Sequence, residues 1–175
     1  MSTQNLRHPD SHRLYCQVIK PRPVNNGRGL LSLSFIDSDL KFISNSSYDL
    51  DISLFKHNNS CDIHPVNMKF ENNHIKIDKS GAYSIQLLIS MLNELKNDFF
   101  VIVQFININD NSIYYKRKFN VGRDESNQID ASFFVYLSSD HIYKIQIISS
   151  VDTVIKILGS DGSSRLSVCG ICELN

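Results

Sequence analysis

The strongest constraint on this chain is a period of two. In LLSLSF, Leu31, Leu33 and Phe35 fall on one side, with Ser32 and Ser34 on the other. In SYDLDISLF, Tyr48, Leu50, Ile52 and Leu54 alternate with Asp49, Asp51 and Ser53. In GAYSIQLLIS, Tyr83, Ile85, Leu87 and Ile89 share one face, and Ala82, Ser84, Gln86, Leu88 and Ser90 share the other. Alternation puts successive side chains on opposite faces of an extended chain and marks half-buried strands. The second face of GAYSIQLLIS carries small, uncharged residues able to lie against another surface.

The remaining segments agree. SDLKFI, VNMKF, HIKI, FFVIVQFIN, IYYKRKF, IDASFFVYL, IYKIQIIS, TVIKIL and RLSVCGICEL read as strands. DKSG, DNS, SSDH and GSDGSS supply turns, and KHNNSCDIHP and NVGRDESNQ read as polar loops. MLNELKND is too short for a helix and reads as one turn or a loop. No helical period of any length appears. The expected class is all-β, a sandwich or barrel. Residues 29–175 read as a single domain behind a mildly basic N-terminal arm, 1–28, with Arg7, Arg13, Lys20, Arg22 and Arg28 against Asp10.

Composition narrows the function. The 175 residues are 42% hydrophobic and 21% charged, enough for one sizeable core. Lys+Arg and Asp+Glu both number 18, which argues against a whole-surface nucleic-acid binder. The arm, and the aromatic-basic stretch YYKRKF, are the places where nucleic acid would bind. The 21 Ile and 17 Asn fit an AT-rich genome, cellular or viral, so a single Ile or Asn carries little functional weight. No apolar leader follows Met1 and no stretch reaches the ~20 apolar residues of a membrane helix, so an intracellular or virion-associated protein without membrane insertion is expected. A leader lost from the native chain would reverse this and make it a secreted protein. In the expected setting Cys16, Cys61, Cys169 and Cys172 are free thiols.

Chemical motifs are sparse. CGIC, Cys169 to Cys172, lies in an apparent strand, where an offset of three sends the thiols to opposite faces, so neither a redox pair nor a zinc site is expected. His57 and His64 flank Cys61 and read as polar loop residues. Asp110, Asp124 and Glu125 match no calcium-loop spacing. No nucleophile elbow, phosphate-binding loop or dinucleotide fingerprint is present. The expectation is a protein without catalytic residues, metal or cofactor.

The order of segments adds a resemblance. FENNHIKIDKSGAYSIQLLIS resembles the central signature of the tumour necrosis factor/complement globular-head superfamily, with Gly81 and Tyr83 at its Gly-x-Tyr and Ile85 at the next inward place. FFVIVQFININDNSIYYKRKF resembles the next hairpin, and IDASFFVYLSSDHIYKIQII the strand, turn and strand that follow. SSRLSVCGICEL resembles the last strand, with Gly170 at its glycine. The SSDH turn lacks the glycine that the superfamily places before its Asp, and CGIC replaces the usual aromatic surroundings. The resemblance implies a ten-strand jelly-roll β-sandwich that forms a compact homotrimer, with Tyr83, Ile85, Phe133 and Tyr136 as interface candidates; the alternative reading places all of them in the protomer's own core. Phe133 and Tyr136 point to opposite faces of a regular strand, so one of them faces a neighbour. With no export signal visible, a structural or assembly protein is expected rather than a secreted ligand, and an AT-rich viral genome is a natural setting for it. The alternatives are a module that binds a receptor protein or a glycan through loops 56–65, 91–98, 120–128 and 159–164, and a small capsid protein.

Overall fold

The computed structural model describes residues 30–55, 68–95, 97–123, 126–159 and 163–171. The arm and the 56–65 loop lie outside them, as do Cys16, Cys61 and Cys172. Twelve strands occur among the described residues: β1 (Leu30–Ser34), β2 (Ser38–Phe42), β3 (Ser47–Asp49), β4 (Met68–Glu71), β5 (His74–Ile77), β6 (Gly81–Asn93), β7 (Phe99–Asn107), β8 (Ile113–Val121), β9 (Ser126–Leu137), β10 (Ile142–Ser149), β11 (Thr153–Leu158) and β12 (Arg165–Gly170). The count exceeds the ten expected, and the all-β architecture is as read.

The strands form two antiparallel sheets. In the first, β6 is the spine. Gly81–Leu92 of its 13 residues pair with β9 along one edge, while β12 borders Tyr83–Leu88 and β11 borders Ser90–Asn93 on the other. β1 extends the sheet beyond β12 and β2 beyond β11. The second sheet runs β4-β5-β10-β7-β8, with β3 also against β10. The core lies between the sheets and takes one face of each strand. On β6, Tyr83, Ile85, Leu87, Ile89 and Met91 are buried, as are Val101, Val103 and Phe105 of β7 and Tyr143, Ile145 and Ile147 of β10. Such burial is worth about 1.5–3 kcal/mol per large apolar side chain. At the β8–β9 side the sheets are joined by side chains, with Tyr115 stacked on Phe133 at 4.1 Å and Phe133 against Phe105 at 5.5 Å.

Local structure differs from the sequence reading at three places, one being NVGRDESNQ, whose ends are strand: Asn120 and Val121 close β8, and Ser126–Gln128 open β9 against β6. SYDLDISLF does not remain extended. The Asp51 carboxylate accepts the Ser53 amide at 2.7 Å, and a 3₁₀ turn follows over Ile52–Leu54. MLN continues β6 instead of turning, because Ser90–Asn93 pair with β11 and Ser90–Leu92 with β9. The DKSG turn forms as read, and the Tyr83 hydroxyl donates to the Lys79 carbonyl at 2.6 Å to hold it.

Candidate interaction surfaces

The outward face of the first sheet is built by parity. Every inward residue of β6 and β9 has an outward neighbour, and register places Ala82 beside Tyr136, Ser84 beside Phe134 and Gln86 beside Ser132. On the other side of β6, Ser84 meets Cys169 and Gln86 meets Ser167. Phe134 is 77% exposed and Tyr136 66%. Two large aromatics thus stand on a floor of small side chains, and Cys169 lies exposed in the same cross-strand row as Phe134.

The four interface candidates divide. Tyr83 and Ile85 are 1% and 0% exposed within the protomer's own sandwich, so neither has side-chain surface to offer a neighbour. Phe133 turns inward and is half-buried against Tyr115 and Phe105. Tyr136 points outward. Phe134, which the sequence reading passed over, is the most exposed aromatic beside it. The signal was available: Phe134 shares parity with Tyr136 in FFVYL.

The YYKRKF stretch is also sorted by parity. Tyr115 and Phe119 pack against the core and Lys116 and Lys118 face outward, while Tyr114, at a register shift, is partly exposed with its ring edge-on to buried Tyr143 at 5.9 Å. Its aromatic neighbourhood is already occupied: Lys118 Nζ sits 3.7 Å above the Phe100 ring and Arg117 lies 5.1 Å from Phe119.

The described residues of segments 91–98 and 120–128, which are in part the ends of β6, β8 and β9, come together at one end of the sandwich. Asn93 Nδ2 donates to the Gly122 carbonyl at 2.7 Å and to the Asn97 carbonyl at 3.0 Å. The Asp98 carboxylate accepts the Arg123 amide at 2.8 Å, and Asn127 Oδ1 accepts the Gly122 amide, also at 2.8 Å. These polar groups are spent on each other and on backbone. Asp110 is likewise engaged locally, its carboxyl held below its ordinary range by Ser112, whose hydroxyl and amide both donate to it. His57, His64, Asp124 and Glu125 lie outside the described residues. Among the described residues no cluster of three His, Cys, Asp or Glu is placed to hold a metal ion.

No protein-family model and no curated protein matches the chain. Solved structures do. Murine APRIL at pH 5.0 superposes with a TM-score of 0.58 at 9% identity, over 82% of this chain and 99% of that one. Eiger TNF from S. frugiperda gives 0.59 at 7% identity, over 85% and 96%. The superpositions span nearly the whole of both known chains, with the two-sheet order described above, and the chain therefore has the tumour necrosis factor-like jelly-roll fold.

Proposed function

We propose that the chain is a non-enzymatic, self-associating jelly-roll module that acts as a homotrimer and works by presenting protein surface to a partner. The observation that carries this reading is the outward face of the first sheet. Phe134 and Tyr136 stand exposed over Ala82 and Ser84, where a flat, small-residue floor admits a neighbouring copy. Burying two such aromatics yields favourable free energy at about 25 cal/mol per Å² of apolar area, against the cost of association. The fold it shares with APRIL and Eiger TNF supports the same reading. A structural or assembly role follows if the trimer is the end product, and receptor binding follows if the assembled surface takes a second protein.

Sedimentation of the full chain at micromolar concentration tests this. A compact trimer is expected, and Phe134→Ser/Tyr136→Ser is expected to shift it to folded monomer with an unchanged strand spectrum. A wild-type chain that sediments only as monomer would overturn the proposal.

A further inference from the structure

The outward face of the second sheet is unlike that of the first. Alternation turns Lys69, Lys76, Lys144, Lys116 and Lys118 to this face. Two carboxylates accompany them: Glu71 at 3.6 Å from Lys76 and Asp49 at 3.1 Å from Lys144. Among the described residues no carboxylate pairs with Lys69, Lys116 or Lys118. Register makes the excess sharper. Lys69 and Lys76 are directly opposite each other across β4 and β5, an arrangement that like charges destabilise.

The cations also have an order. Lys76 pairs across to Ile142, two residues before Lys144. Lys144 pairs with Ile106, two residues beyond Gln104, and Gln104 pairs with Lys116. Lys118 is the next outward residue on β8. Lys76, Lys144, Lys116 and Lys118 therefore form a diagonal across the sheet. With strands ~4.8 Å apart and alternate residues ~6.7 Å apart, successive cations are on the order of 7–12 Å from one another. The ground between them is mixed: Gln146 and Gln104 pair between Lys144 and Lys116, while Ile102 and Ile148 form an apolar pair beside Lys118, and Phe100 lies half-buried beneath the Lys118 ammonium.

We propose that this diagonal is a docking surface for an acidic polypeptide segment that carries apolar side chains among its carboxylates. The charge selects an anionic partner, and same-side residues of an extended chain, ~6.7 Å apart, reach successive lysines. The Ile102–Ile148 ground selects a polypeptide over a sulfated sugar chain, which has no apolar side chains to cover it. Single-stranded nucleic acid is disfavoured because its bases need free aromatic faces: Lys118 and Arg117 already lie over Phe100 and Phe119, and the Tyr114 ring is engaged edge-on with buried Tyr143. The surface lies on the opposite side of the sandwich from Phe134 and Tyr136, so closing that side leaves this one open.

Fluorescence anisotropy with the full chain tests the proposal, using a labelled Glu/Leu peptide long enough to follow the diagonal from Lys76 to Lys118, about 25 Å or ~8 extended residues. Saturable binding that weakens with salt is expected, with a loss of at least about tenfold in Lys116→Glu/Lys118→Glu. Phe134→Ser/Tyr136→Ser should bind the peptide as wild type does, so the outcome is read separately from trimer formation. Absence of saturable binding at low salt, or equal binding by the charge-reversed variant, overturns the proposal. So does tighter binding of a heparin fragment or an oligothymidylate, or equal binding of a Glu/Ser peptide that lacks Leu.

Discussion

At the scale of single residues, several positions owe their identity to backbone geometry. Asn45, Asn72, Asn73 and Asn111 all have positive φ, between 51° and 65°, which Asn tolerates better than most side chains. Asn72 and Asn73 are consecutive and join β4 to β5 in a two-residue hairpin. Asn72→Gly should leave stability nearly unchanged, whereas Asn72→Ile should cost about 1–2 kcal/mol in urea unfolding. Gly159 is required for a different reason: an added Cβ would meet the Phe35 carbonyl oxygen at 2.3 Å. Gly159→Ala should therefore cost about 1–3 kcal/mol, and a variant as stable as wild type would refute the close approach. Tyr143 gives a pH dependence. Burial pushes its hydroxyl above the ordinary value of 10.0, opposed by its hydrogen bond to Ser138. The fold therefore favours the neutral form; its contribution is complete below the unfolded value and is lost as pH rises through the higher folded one. Tyr143→Phe should make alkaline destabilisation shallower, while costing about 1–3 kcal/mol at neutral pH because the Ser138 amide loses its acceptor at 2.7 Å.

At the scale of elements, alternation was the reliable signal and parity its most useful consequence. The buried faces of β6 and β10 follow directly from GAYSIQLLIS and IYKIQIIS. The 3₁₀ turn that ends the β3 segment was not legible, because alternation continues through it and the Asp51 side chain, not hydrophobicity, decides the turn. Parity also separates Phe133 from Phe134, but only when the face of β9 that meets the core is known. Ile85→Ala, in the middle of β6, should destabilise the protomer itself by about 2–5 kcal/mol. On β4, Lys69→Glu should replace a like-charge cross-strand pair with an opposite one and raise stability by about 0.2–1 kcal/mol. The same substitution should weaken acidic-peptide binding. A Lys69→Glu chain that is less stable than wild type would show that the pairing with Lys76 is not repulsive.

At the scale of the whole molecule, the two outward faces differ in chemistry. One displays aromatics over small residues and suits a second copy. The other displays lysines among glutamines and isoleucines and suits an acidic partner. A trimer closed through the first face would leave the second pointing away from it, so the proposed self-association and the proposed partner binding would be separable. That separation can be measured: the aromatic double variant should lose trimer and keep peptide binding, and the lysine double variant should do the reverse. If both variants lost both properties, a shared folding defect would be the explanation, and circular dichroism would show it.

The sequence by itself determined the class, most strand positions and which residues share a face in each regular stretch of strand, because alternation is a local property that needs no partner. It also carried the superfamily resemblance through Gly81, Tyr83 and the order of segments. Only the tertiary structure decided which face of each strand meets the core and which strands are neighbours. Those two facts move Tyr83 and Ile85 into the protomer, bring Phe134 to the surface and align lysines from β5, β10 and β8 along one diagonal. They depend on pairings between residues far apart in the chain, such as Lys144 with Ile106 and Ser84 with Phe134, which no local period records.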